Sequence, residues 1–196
     1  MLRGHTPFHR EIERRNVPGN RDSGDGEGVP KRGLGVADRE LFEGFALQAV
    51  DQKGRVAIPA DLRAAAERNS DIRQIVVGLH PEDPCLSAHD LSWSKEKYDR
   101  LDRREQLAAD RGEDADTRAK RRAFGQVEKA PFDDSGRFVI PPFFRMKAKI
   151  GKWAFFNGSG ETFDVWSPEV LLADENADPG LREICEYLCP TKGVKL

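Results

Sequence analysis

The chain has 196 residues, of which 34% are charged, 38% hydrophobic and 8% aromatic, with a formal net charge of -2 and three cysteines. That length suits one ordinary domain or two small ones, and so much charge with so few aromatics argues against one large core along the whole chain; part of it is expected to be polar tail or exposed helix. No run of about 18 apolar residues occurs, and MLRGHTPFHREIERR lacks the apolar stretch of a signal peptide, so a cytoplasmic protein is expected, neither spanning a membrane nor secreted. A net charge near zero offers no basic coat, so any nucleic-acid binding must rest on locally clustered lysine and arginine.

Residues 1–40 are rich in Gly, Pro, Arg, Asp and Asn without a period of 2 or 3.6, and read as a disordered N-terminal extension. Its arginines are interleaved with acids, as in a solvated tail. Order is expected from Leu41. Phe45, Leu47 and Ala49 alternate with polar or small neighbours, Asp51-Gln52-Lys53-Gly54 supplies a turn, and Arg55 to Ile58 resumes a strand that Pro59 stops, which reads as a β-hairpin. Ala60 to Asn69 has helix-forming composition, Gln74 to Leu79 reads as a strand, and a shorter strand is expected over Cys85 to Ala88. From Asp90 to Phe124 charge dominates, and two helices broken near Gly112 are expected to project from the body and pack on a neighbour. The hairpin pattern then returns with Val127 to Phe132, the turn Asp133-Asp134-Ser135-Gly136 and Arg137 to Ile140, followed by strands at Trp153 to Phe156 and Thr162 to Trp166.

The second segment repeats the first. Asp51, Gly54, Arg55, Ile58, Pro59 and Arg63 match Asp133, Gly136, Arg137, Ile140, Pro141 and Arg145 at a constant offset of 82 (133 − 51). Six identities at one unbroken offset in the same local context mark an internal duplication. Each member has a physical task. Gly54 and Gly136 are placed to take positive φ at the end of a tight turn, Asp51 and Asp133 to accept hydrogen bonds from turn amides and to pair with the arginine four residues on, and Pro59 and Pro141 to end the strand. One repeat is too small to enclose a core, so the two are expected to interlock as a pseudo-dimer within the chain.

Asp51-Gln52-Lys53-Gly54-Arg55-Val56-Ala57-Ile58-Pro59, preceded by Phe45 and followed by Arg63, resembles the first half of the MraZ family. Asp133 to Pro142 resembles its second half, and Cys85 to Ala88 and Phe163 to Pro168 are similar to the strand-then-helix segments that close each half. The resemblance spans about Phe42 to Leu172. It implies an α+β, mainly β fold, a double-split β-barrel of two pseudo-symmetric swapped-hairpin halves of the AbrB/SpoVT type with protruding helices. It further implies a homo-oligomeric ring and a nucleoid-associated transcriptional regulator that binds short repeated promoter elements in double-stranded DNA ahead of the division and cell-wall gene cluster, with no cofactor. The organisation expected is residues 1–40 as extension, 41–126 as first half with a charged helical arm, 127–172 as second half and 173–196 as a C-terminal helical tail. The extension lies outside the family pattern. The second turn is acidic, Asp133-Asp134-Ser135 against Asp51-Gln52-Lys53, so the two halves are not expected to contact DNA equally.

Lys53, Arg55, Arg63 and Arg137 are the candidate DNA-binding residues, with Asp51, Gly54, Asp133 and Gly136 as turn formers. Arginine at the base of a turn can present its planar fork to guanine O6 and N7, while lysine attracts phosphate as a point charge. Against this stands the reading in which Arg55 and Arg137 only pair with Asp51 and Asp133 to fix their turns. The competing function is an oligomeric interaction protein whose ring and arms recruit a protein partner, with weak, non-specific DNA binding. Arg118, Lys120, Arg121 and Arg122 read as a solvated helix face. His80, Glu82, Asp83, Cys85 and His89 match no metal spacing and read as structural or surface residues, so no metal site is expected. Cys185 and Cys189 read as an apolar helix stripe with Ile184 and Leu188. No phosphate-binding glycine loop or nucleophile motif occurs, and nothing points to an enzyme.

Overall fold

In the computed structural model, the structure describes residues 39–114, 116 and 118–194. The expected disordered extension therefore falls, up to residue 38, outside the described residues. The elements in chain order are β1 (Phe45–Ala49), β2 (Arg55–Ala57), α1 (Ala60–Asn69), β3 (Gln74–Leu79), β4 (Leu86–Asp90), α2 (Trp93–Asp110), α3 (Ala119–Gly125), β5 (Val127–Pro131), β6 (Arg137–Val139), α4 (Pro142–Lys147), β7 (Trp153–Gly158), β8 (Phe163–Trp166), α5 (Pro168–Ala173) and α6 (Pro179–Thr191).

Local sequence accounts for the helices. Pro59 directly precedes α1, Asp61 sits in its first turn where a negative charge complements the helix dipole, and Leu62, Ala65, Ala66 and Asn69 lie on one buried face. Its counterpart α4 starts on Pro142 and buries Phe144. Helix α6 starts on Pro179, and the Asp178 side chain accepts from the Leu181 amide at 3.0 Å. Cys185 and Cys189 are free thiols on the buried face of α6, as the stripe reading expected.

The strands form an antiparallel six-stranded sheet in the order β1-β7-β8-β4-β3-β5 and a separate two-stranded ribbon of β2 and β6. This order reads the same from either end when the repeats are exchanged. Each repeat sends its first strand to the other: β1 pairs with β7, Leu47 opposite Phe155, while β5 pairs with β3, Ala130 opposite Ile75. β4 and β8 join the repeats at the centre, Leu86 opposite Val165, and β2 and β6 join them again in the ribbon, Val56 opposite Phe138.

Two expectations are corrected. The segments 45–58 and 127–140 do not make closed hairpins; the turns form, but β1 and β5 spend their hydrogen bonds on the other repeat, and between the strands flanking the two turns only the isolated bridge between Phe132 and Phe138 remains. Among the described residues the strands also close no barrel. The six-stranded sheet ends at β1 and β5, and the architecture is α+β with a mainly antiparallel sheet.

Period-2 alternation divides the core between the two faces of the sheet. On one face Ile75, Val77, Leu86, Phe156, Phe163 and Val165 pack with Leu62 of α1, Phe144 of α4 and the ribbon residues Val56 and Phe138. On the other, Leu47, Phe155, Cys85 and Trp166 pack with Leu171 of α5 and with Cys185 and Cys189 of α6.

The charged arm does not simply project. Trp93 at the start of α2 is buried, Arg100 pairs with Glu161 of the body, and Lys120 of α3 reaches Asp102 and Glu105 of α2, each at 2.6 Å. The start of α2 is fixed by Asp90, which accepts from Arg39, from Ser92 Oγ at 2.6 Å and from the Trp93 amide at 3.2 Å. Arg39 is thus part of the body, as is Glu40, whose backbone exchanges two 2.9 Å hydrogen bonds with the Asn69 side chain.

Candidate nucleic-acid interface

The two conserved-offset turns are built alike. Asp51 Oδ1 accepts from the amides of Lys53 and Arg55, both at 2.8 Å, and Oδ2 accepts from Arg55 Nε at 2.7 Å. Asp133 Oδ1 accepts from the amides of Ser135 and Arg137, both at 2.9 Å, and Oδ2 from Arg137 Nε at 3.0 Å. Both carboxyls are held below their ordinary value, first by the arginine's own amide and then by its guanidinium. Gly54 and Gly136 close the turns with φ of 80° and 73°, the positive values the sequence reading assigned to them.

Each turn is also buttressed by an arginine from the other repeat. A Cβ on Gly136 would lie 2.6 Å from Arg63 Cδ, and one on Gly54 would lie 3.1 Å from Arg145 Nη1. Arg63 therefore lies along the second turn, its Nη1 3.5 Å from the Asp134 carbonyl oxygen. Arg145 lies along the first turn while its Nε and Nη2 donate to the carbonyls of Ile150 and Gly151. Sequence reasoning aligned Arg145 with Arg63 but did not single it out, because its crossing to Gly54 depends on the strand exchange.

The antiparallel ribbon joins these turns, one at each of its ends. Arg55 is opposite Val139 and Arg137 is opposite Ala57, so both arginines stand on one face, diagonally across the Val56–Phe138 pair that faces the core. Their side chains are 56% and 60% exposed. Each Nε is tied to an aspartate, and the two Nη groups of a guanidinium are further donors. Lys53 is exposed at the first turn. In the second, Arg73 pairs with Asp134 and so offsets part of the turn's negative charge. Lys53, Arg55, Arg63 and Arg137 thus gather around one ribbon, with Arg63 more engaged in packing than the other three. The basic run at 118–122 stands apart: Lys120 is tied to α2 and Arg122 pairs with Asp116.

No family model matches the chain. It is 32% identical to the transcriptional regulator MraZ of Rhodospirillum rubrum over 142 residues, covering 70% of this chain and 86% of that protein. The chain belongs to the MraZ family. The transcriptional regulators MraZ of Alcanivorax borkumensis and Azotobacter vinelandii are each 31% identical, over 71% and 70% of this chain and 92% and 87% of their own lengths. These relatives are named as regulators of transcription, which fits a regulatory rather than an enzymatic role. No helix among the described residues is long and apolar enough to cross a membrane.

One cluster that the sequence reading took as structural or surface residues comes together in space. His80, Asp83 and Cys85 bring potential metal-ligating atoms within 4.8 Å of one another, while His89 lines, together with His80, a cavity under the arm beside Lys97, Leu101 and Arg104.

Proposed function

We propose that this MraZ-family regulator reads double-stranded promoter DNA with the β2–β6 ribbon, Arg55 and Arg137 presenting their forks to base edges and Lys53 neutralising phosphate. The observation that carries this reading is the pair of exposed arginines, each oriented by its own aspartate, on the outer face of a two-stranded ribbon. A ribbon of this width fits the B-DNA major groove, and an arginine held at Nε loses less side-chain entropy when its Nη groups bind guanine. Arg63 supports the second turn and adds charge beside it. The strand exchange favours a swapped, pseudo-symmetric arrangement of two halves, the first strand of each repeat crossing to the other. Several copies in a ring would set several ribbons against repeated sites, so that weak contacts add through effective concentration. The family resemblance makes the division and cell-wall gene cluster the expected target, with repression by occupancy.

A second reading is favoured by exposed apolar side chains: Phe143 at 50% and Met146 at 65% on α4 suit an interface with another copy or a protein partner. Here the arginines only hold their turns. Lys53→Ala with Arg55→Ala separates the two. The DNA-reading function expects preference for the duplex upstream of the protein's own gene over a scrambled duplex to be lost, with oligomer mass and melting temperature retained. A fall in melting temperature or oligomer mass without any change in DNA preference overturns it.

A further inference from the structure

The β3–β4 turn, His80-Pro81-Glu82-Asp83-Pro84-Cys85, gathers donors of three chemical kinds. An imidazole nitrogen of His80, a carboxylate oxygen of Asp83 and Cys85 Sγ lie within 4.8 Å of one another, and His80 Nδ1 is 3.3 Å from Asp83 Oδ2. The His80 amide donates to the Cys85 carbonyl at 3.0 Å, one step beyond the Leu79–Leu86 pair, so the two residues stand opposite each other with their side chains on one face. The Asp83 amide donates to His80 Nδ1 at 2.9 Å, folding the acidic residue back over the ring.

A fourth donor reaches the same face from the other repeat. Asp164 lies opposite Ser87 in the β4·β8 ladder and hence diagonal to Cys85. Its Oδ2 accepts from Ser159 Oγ at 2.6 Å, while its Oδ1 is buried with no hydrogen-bond partner among the described residues. A shielded acceptor without a donor is costly and calls for a positive or hydrogen-bonding partner.

We propose that His80, Asp83, Cys85 and Asp164 form a binding site for a divalent transition cation of the zinc class. One nitrogen, one sulfur and two oxygens complete a tetrahedral set, and thiolate with imidazole selects zinc or cobalt over magnesium or calcium. At the bond lengths usual for zinc, ligand atoms stand roughly 3.3–3.8 Å apart. His80 Nδ1 accepts from the Asp83 amide, which leaves Nε2 as the ligand nitrogen, and side-chain rotation would draw the four ligand atoms to that spacing. On binding, the Cys85 S–H bond breaks, a sulfur–metal bond forms and one proton passes to solvent. Three ligands come from the first repeat and one from the second, so the ion fastens the two halves beside the central β4·β8 ladder.

The test uses the full chain, freed of metal with a chelator and titrated first with Co²⁺ and then with Zn²⁺. One equivalent of Co²⁺ is expected to give tetrahedral d–d absorption and a thiolate-to-cobalt charge-transfer band, both erased by Zn²⁺. Cys85→Ser is expected to abolish the charge-transfer band, Asp164→Asn to weaken Co²⁺ binding by about tenfold or more, and the double variant Cys185→Ser with Cys189→Ser to keep both signals. His80→Gln, at the surface end of the turn, repeats the loss of affinity in a variant whose circular dichroism matches the parent, should Cys85→Ser misfold. Absence of a thiolate band in the parent protein, or its persistence in Cys85→Ser, overturns the site. The readout is spectroscopic and involves no DNA, so its failure is distinct from failure of the ribbon reading.

Discussion

Asp51 and Asp133 each close a turn, tether an arginine and hold their own negative charge with three hydrogen bonds. Most of this was legible in the sequence, because the requirements are local: an acceptor at the first turn position, a glycine three residues on and an arginine after it. The neighbours of the glycines were not legible. Gly136 has no space for a methyl group beside Arg63, and its backbone sits where a side chain is strained in any case. Gly136→Ala is expected to destabilise the fold by about 1–2 kcal/mol, read as a lower melting temperature, with Gly54→Ala milder because the obstructing atom is the mobile end of Arg145. His89 offers a pH test at the same scale. It is 4% exposed, and burial lowers its pKa to about 4, with the nearby Lys97 and Arg39 charges adding to the effect and the Asp90 carbonyl and charge opposing it. The unfolded chain takes up this proton near the ordinary value of about 6.5 and the folded one only near 4, so stability falls as pH drops through that window. Chemical denaturation between pH 7 and 4 is expected to show a loss of up to about 3 kcal/mol that His89→Gln removes; an unchanged pH profile in that variant would contradict the assignment.

Among the elements, α1, β3, β5 and β6 lie within a residue of where composition and period place them, since each carries its own signal. The pairing of β1 and β2 was misread for a physical reason. Alternation and turn residues specify strands and a reversal of the chain, but not whose hydrogen bonds satisfy the strand edges. The attachment of the arm was not legible because its anchors are few and mostly polar: the buried Trp93, the Arg100–Glu161 pair and the Asp90 network involving Arg39. A helix whose attachment relies on residues outside its own apolar pattern looks free in sequence. The exchanged strands carry a direct consequence. Residues 39–114 alone lack the partners of β1, β2 and the outer edge of β3, all supplied by residues 127–166. Either half expressed alone is expected to remain largely unfolded by circular dichroism, and the two co-expressed to assemble into a native-like complex; a cooperatively folded single half would contradict the exchange.

At the scale of the whole molecule, the duplication builds a pseudo-two-fold object whose near-neutral net charge of -2 conceals its local charge. The fold joins the repeats at the β4·β8 centre and again in the β2–β6 ribbon, and the second junction brings both motif arginines onto one face. The α+β class and the duplicated turns that carry the candidate arginines were readable in the sequence, whereas the open sheet and the arrangement of the arginines on one ribbon required the long-range register. The acidic second turn still distinguishes the halves, and Arg55 beside Lys53 is the stronger candidate for DNA contact. The most direct measurement is fluorescence anisotropy of the full chain on the duplex upstream of its own gene and on a scrambled duplex, each across a salt series. Sequence reading requires tighter binding to the native duplex that persists as salt weakens the common electrostatic part of both affinities. Equal affinity for the two duplexes at every salt concentration, falling steeply together, would contradict it and leave only non-specific attraction to phosphate.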